Sequence, residues 1–196
     1  MKVLKIVGIA LITLVAVFFI LAAVAPKEYR VERTVLINAP KDVVFDNVKY
    51  WKNWGKWSPW GEMDPQMVIT VEGPDGTKGS KYVWEGTPEL TGKGEMINKG
   101  VKELEEISYR LRFILPWEGE SDGYVRLSDK EGKVEAAWGF YGEYPYPANI
   151  MLLFISMEDM MKKDFDRGLE LLKNISEKEA AELKNNDAPR EDRREN

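Results

Sequence analysis

The sequence predicts an α+β domain: a curved antiparallel sheet of about six or seven strands wrapped around a long C-terminal helix, with an N-terminal transmembrane helix in front. Three observations predict it. Apolar residues alternate with period two from about residue 66 to 144, and the period returns to 3.6 after Pro147. Short turns join the period-two segments, as in a meander with one covered and one wet face. A meander cannot leave its apolar face open, and the long amphipathic segment near the C-terminus is the cover.

The chain opens with Ile6 to Ala25, twenty residues without a charge, in which Thr13 is the only side chain with a hydrogen-bonding group. As a helix this run spans about 30 Å, one hydrocarbon core. It has no polar stripe, which a soluble core helix of that length would show. It exceeds the usual apolar region of a signal peptide, about 7–15 residues, and Pro26 follows the cleavage-like Ala23-Val24-Ala25 directly. Residues 6–25 are therefore expected to be an uncleaved single-pass membrane anchor. Lys2 and Lys5 before the segment nearly balance Lys27, Arg30 and Arg33 after it. The five-residue head favours a domain on the extracytoplasmic side.

"RVERTVLINAP" reads as a strand, with Val31, Val35 and Ile37 on one face. Pro40 then opens a short helix whose apolar face is Val44, Phe45 and Val48. "MVITVEG", "SKYVWEG", "GKGEMIN", "EISYRLRFIL", "GYVRLS" and "KVEAAWGFYGEY" are the following strands, with turn chemistry at Asp75-Gly76 and from Asp129 to Gly132. "NIMLLFI" is a short helical turn. From about Met157 to Leu183 a long helix carries Met161, Phe165, Gly168, Leu172 and Ile175 on one stripe. The organisation is an anchor at 1–26, a folded domain at 27–183 and a polar, disordered tail at 184–196.

"WKNWGKWSPW" places Trp51, Trp54, Trp57 and Trp60 three apart. Residues three apart rotate by about 300° in an α-helix, so the four cannot share one stripe. Gly55 and Ser58-Pro59 also break a helix. Trp51 and Trp54 can end a short helix, with Trp57 and Trp60 in the following turn. The run is expected to close the open end of the curved sheet as a lid or plug, with Trp54 and Trp57 facing inward.

Composition narrows the chemistry. The chain has no cysteine and no histidine, which removes thiolate nucleophiles, the Ser-His-Asp triad and the usual zinc and haem ligands. Any catalysis would run on carboxylates, lysine, tyrosine or water, and no cofactor is expected. Beyond residue 26 there are 26 basic against 33 acidic side chains, a balance of −7. Nucleic-acid binding needs a basic stripe, so no nucleic-acid partner is expected. Glu62 and Asp64 are spaced like loop metal ligands, but two carboxylates make a poor site, and no metal is expected. Glu85 is the one catalytic candidate. Alternation sets it opposite Trp84, towards water, unless a bulge at Gly86 turns it inward.

Several words in this order resemble the START-like, helix-grip superfamily (SRPBCC): "VERTVLINAP" at 31–40, the tryptophan run ending in "WSPW" at 51–60, "YVWEG" at 82–86, "GKGEM" at 92–96 and "KDFDRGLELLK" at 163–173. The chain is most similar to bacterial members labelled polyketide cyclase/dehydrase-like, and the resemblance covers nearly all of it except the tail. It implies an apolar cavity between the sheet and the C-terminal helix. Members bind lipids, sterols, polyketides or other hydrophobic small molecules, and a minority catalyse cyclisation; the family has no universal catalytic residues.

Candidate ligand-binding residues follow. Trp54 and Trp57 come from the lid; Tyr82, Trp84, Tyr109, Leu111, Phe113, Trp138 and Phe140 from inward strand positions; Met161, Phe165 and Gly168 from the helix. The same residues would serve as a packed core. Three readings stay open: a membrane-anchored binder of a hydrophobic small molecule or lipid, a cyclase- or hydrolase-type enzyme, and an interaction module with a filled core.

Overall fold

Strand alternation and tight turns gather the period-two segments into one antiparallel sheet. The computed structural model describes residues 2–187. Its strands are β1 (Glu28–Ile37), β2 (Val68–Glu72), β3 (Lys81–Glu85), β4 (Lys93–Lys102), β5 (Glu106–Leu115), β6 (Gly119–Lys130) and β7 (Lys133–Glu143). Their spatial order is β1-β7-β6-β5-β4-β3-β2. The last strand therefore pairs with the first, and α2 (Lys41–Lys49), α3 (Trp51–Trp54) and α4 (Trp60–Met63) bridge from one edge of the sheet to the other.

Register decides which side chains face the interior. Val31 pairs with Phe140 and Val35 with Ala136; Tyr109 pairs with Gly123, and Met96 with Leu111. Tyr109 lies flat across Gly123, where a Cβ would come within 2.4 Å of its ring. On this face α5 (Met157–Asp187) lies along β1, held by an ion pair from Arg33 Nε to Asp166 at 2.7 Å and by the backbone N–H of Asn38 donating to the Glu177 carboxylate at 2.8 Å. Helix α5 runs four residues past the expected Leu183, because Glu182, Leu183 and Lys184 are good helix formers and Glu182 pairs with Lys178 one turn back. So 184–187 are helical, and the rest of the expected tail, 188–196, lies outside the described residues.

The N-terminal helix α1 (Lys2–Val24) is long and apolar enough to cross a membrane, and almost none of it is buried. Only its C-terminal end, from about Phe19 on, meets the domain. The Asn149 amide, at a 3-10 helix over Ala148–Leu153, donates to the carbonyls of Ala22 at 2.7 Å and Ala25 at 3.2 Å, and so caps the helix end. The Phe19 and Tyr146 rings sit 6.0 Å apart beside it.

The sheet thus has a near end, where α1 joins β1, and a far end. Antiparallel pairing puts three connections at the near end: 86–92, Pro116–Glu118 and the segment from β7 to α5. The connections 73–80, 103–105 and 131–132 lie at the far end.

Between sheet and helix the largest fully buried side chains are Trp51, Trp54, Trp57 and Trp138. Successive rings of the tryptophan run are 4.9 and 4.6 Å apart, and Trp57 meets Trp138 edge-on at 5.0 Å. Replacing Trp57 with alanine removes the middle of this stack and should cost about 3–5 kcal/mol. Urea unfolding of the detergent-solubilised chain reads this as a lower midpoint with little change in slope.

Candidate functional site

The face of the sheet beneath α5 divides into a filled half and a less completely covered rim towards the near end. In the filled half each fully buried indole N–H has an acceptor. Trp51 donates to Ser80 Oγ at 3.0 Å, Trp54 to the Val48 carbonyl at 2.8 Å and Trp57 to the Asn47 carbonyl at 3.0 Å. Trp138 donates to the Tyr109 hydroxyl at 2.9 Å. These bonds fix the ring planes as well as their depth. Trp54 and Trp57 face inward as the sequence suggested, Trp51 does too, and Trp60 is half-buried against Trp138 at 5.7 Å.

Gly168 lies where α5 crosses Trp138. A Cβ there would be 2.6 Å from the Trp138 ring and 3.1 Å from Pro59 Cδ. The glycine lets the helix backbone approach the indole, and Phe165, one turn earlier, stacks on the same ring at 4.2 Å.

Of the residues singled out from sequence, Trp54, Trp57, Tyr82, Trp84, Tyr109, Trp138, Phe140 and Phe165 fall in one continuous cluster, with Leu111 and Met161 packed against it. Phe113 stands apart: it is 39% exposed and touches the rim of the cluster through Trp84, whose ring is 5.9 Å away. Leu111, Phe113 and Met161 are incompletely covered, so the inner face is least closed towards the near end.

The inner face also buries polar groups. The Tyr82 hydroxyl and both polar atoms of the Asn98 carboxamide are buried without a hydrogen-bond partner. Asn98 is on the same face as Tyr82, one strand over, and its backbone N–H donates to the Ser80 carbonyl at 2.9 Å. Burial pushes the Tyr82 hydroxyl well above its ordinary pKa, and burial likewise raises Tyr109. Both are neutral donors at physiological pH. Sequence reasoning passed over Asn98, although alternation through Gly94 and Met96 already pointed it inward.

The acidic candidates have other partners. Glu85 is exposed and pairs with Lys93 at 2.8 Å, opposite Trp84 as alternation requires. Glu62 reaches Arg167 on α5 at 2.8 Å. Asp64 is buried and accepts from the Thr87 N–H at 2.6 Å, the Thr91 hydroxyl at 2.8 Å, the Thr87 hydroxyl at 3.2 Å and the Gln66 N–H at 3.3 Å. The Thr87 N–H bond, followed by the others, holds its pKa below the ordinary aspartate value. Asp64 therefore staples the 86–92 connection at the near end of the sheet.

No family model and no curated protein matches the chain. Solved structures do match it in fold. The Aha1 dimer from Colwellia psychrerythraea is 12% identical with a TM-score of 0.53, over 76% of this chain and 96% of that one. Ginseng major latex-like protein 151 from Panax ginseng is 10% identical with a TM-score of 0.55, over 77% and 99%. The di-domain ARO/CYC StfQ from the steffimycin biosynthetic pathway is 10% identical with a TM-score of 0.58, over 79% of this chain and 52% of that one. All three are helix-grip proteins, and the fold of this chain is the helix-grip fold.

Gly168→Ala should destabilise the domain by about 1–3 kcal/mol through overpacking, although alanine is the better helix former by about 1 kcal/mol. Thermal unfolding measures the sign. Asp64 gives a pH dependence: because its folded pKa is depressed, its stabilisation is present above the unfolded value of about 3.9 and is lost as pH falls through the lower folded value. Hydrogen exchange at the Thr87 amide should show protection falling through that acidic window, and Asp64→Asn should abolish the dependence.

Proposed function

We propose that this chain is a membrane-anchored binding domain that holds a hydrophobic small molecule or lipid against the inner face of its sheet. The observation that carries this reading is the unpartnered polar set buried on the inner face: the Tyr82 hydroxyl, within the aromatic cluster, and the Asn98 carboxamide, one strand over. Leaving such groups buried and unpaired costs roughly 1–3 kcal/mol each. Binding sites for apolar molecules are built this way, mostly apolar with a few polar groups that orient the ligand. A ligand seated there would gain about 25 cal/mol for each Å² of apolar surface removed from water and would meet a hydroxyl and an amide at its polar end.

The Trp51–Trp60 run is the element that moves in this reading. The Trp51 and Trp54 rings lie over Tyr82, at 6.1 and 6.5 Å. Helices α3 and α4, at the two ends of the run, are four residues each, so their own helical stability is small; α3 is capped from across the fold by the Asp75 carboxylate, which accepts from the Trp51 N–H at 2.7 Å and the Lys52 N–H at 3.2 Å. The anchor is α1, with the domain on the extracytoplasmic side; its length, apolarity and exposure support the membrane assignment.

Catalysis fits less well. Tyr82 and Tyr109, the titratable side chains of the aromatic cluster, have raised pKa values and are poor bases at neutral pH. A filled-core interaction module is the second reading, favoured by the complete burial of Trp51, Trp54 and Trp57.

Native mass spectrometry of the full chain released from nanodiscs separates the two. A retained hydrophobic adduct, or uptake from a panel of phospholipid, sterol and aromatic polyketide, supports binding; no uptake of any of them sinks it in favour of the filled core. Asn98→Leu should abolish the adduct while leaving the domain as stable or more stable, by up to about 1–3 kcal/mol, because it removes an unpaired polar group.

A further inference from the structure

The near end of the sheet differs from the far end in one respect. Its connections carry large exposed apolar side chains. Trp117, at the β5–β6 turn, is 81% exposed; Phe154, between the 3-10 helix and α5, is 78% exposed. Met160 in the first turns of α5 is 60% exposed, and Leu90 in the 86–92 connection is 53% exposed. At the far end, among the described residues, the large apolar side chains that stand exposed are Leu104 and, near the end of α5, Leu183.

Single exposed apolar residues are ordinary, but here three separate connections carry them at one end of one sheet. That is also the end from which α1 departs, with its last turn fastened by Asn149 two to five residues before Met151 and Phe154.

We propose that the near end of the domain rests in the polar–apolar interface of the bilayer, with Trp117 and Phe154 inserted. This rests on the reading of α1 as a membrane anchor. If α1 crosses the bilayer, the Asn149 cap holds the 3-10 helix against the point where the chain leaves it. Tryptophan and its apolar neighbours are at home in that zone. The attraction is apolar and not ionic: within three residues of the exposed side chains Glu89, Glu118, Glu120, Glu158 and Asp159 outnumber Lys93, Lys162 and Lys163, so this end is net acidic and an anionic surface disfavours it. The occupant is therefore a neutral, zwitterionic lipid surface. The incompletely covered residues Leu111, Phe113 and Met161 lie towards the same end, so a lipid-like ligand could pass from bilayer to grip without crossing water.

The cysteine-free chain makes the test direct. Single cysteines at Trp117, Phe154, Val15 in α1 and Lys78 at the far end are labelled with a small fluorophore in the full chain. The protein is reconstituted in phosphatidylcholine vesicles containing lipids with a quencher near the headgroup or deep in the acyl chain. The Trp117→Cys and Phe154→Cys labels should be quenched by the shallow quencher roughly twofold or more beyond the Lys78→Cys label. The Val15→Cys label should be quenched by the deep one, and replacing half the lipid with phosphatidylglycerol should weaken quenching at Trp117 and Phe154. If Val15 is quenched while Trp117 and Phe154 behave like Lys78, the interfacial placement is overturned and the anchor stands. If Val15 is not quenched, the anchor reading itself fails, and the placement with it.

Discussion

The crossing of α5 over Trp138 is the contact on which the rest of the fold depends. The indole is held from four directions: by Phe165 from the helix, by Trp57 and Trp60 from the inserted run, and by Tyr109 from the sheet through a hydrogen bond. The approach is possible only because residue 168 has no side chain. Once helix and strand are that close, the space left beside them fits flat rings edge to face, and the tryptophan run supplies them. Four-residue helices with little stability of their own then gain their order from packing.

Polar pins add direction to this apolar packing. Asn47 is buried on α2, accepts from the Trp57 indole through its carbonyl, and donates through its amide to Glu179 on α5 at 2.6 Å. It thereby ties the short helix, the tryptophan run and the long helix at one point. Its carboxamide nitrogen is paired, whereas the Asn98 carboxamide, also buried, has no partner. The contrast gives the inner face its chemical character: two residues of one type, one used for construction and one left available.

The domain is polarised along its strands. Far from α1, the tryptophan stack fills the grip; towards α1, coverage thins over Leu111, Phe113 and Met161, while Trp117 and Phe154 point outward. Asp64 braces the 86–92 connection on this side by three hydrogen bonds, so the thin coverage at the rim does not come from a loose loop. Thinner coverage of the inner face and an apolar rim thus fall at the same end, which links the proposed binding to the proposed interfacial placement.

Much was legible in the order of residues. Periodicity located every strand and the long helix, because each element buries one face and the spacing of apolar residues records which. The rotation argument excluded one helical stripe and Gly55 marked its break, so α3 ends at Trp54; Trp57 lies in the turn as expected, whereas Trp60 opens α4. Alternation set Glu85 outside and Tyr82, Trp84, Tyr109 and Trp138 inside. Tertiary structure alone decided the partners. That Gly168 sits on Trp138, that Asp64 holds a loop more than twenty residues on, that Asn98 has no partner, and that Trp117, Leu90 and Phe154 share an end are facts about residues distant in the chain. Periodicity reports which face a side chain takes, a local property of φ and ψ. What lies across from that face depends on how strands pair and how closely a helix crosses them, and no local pattern records it.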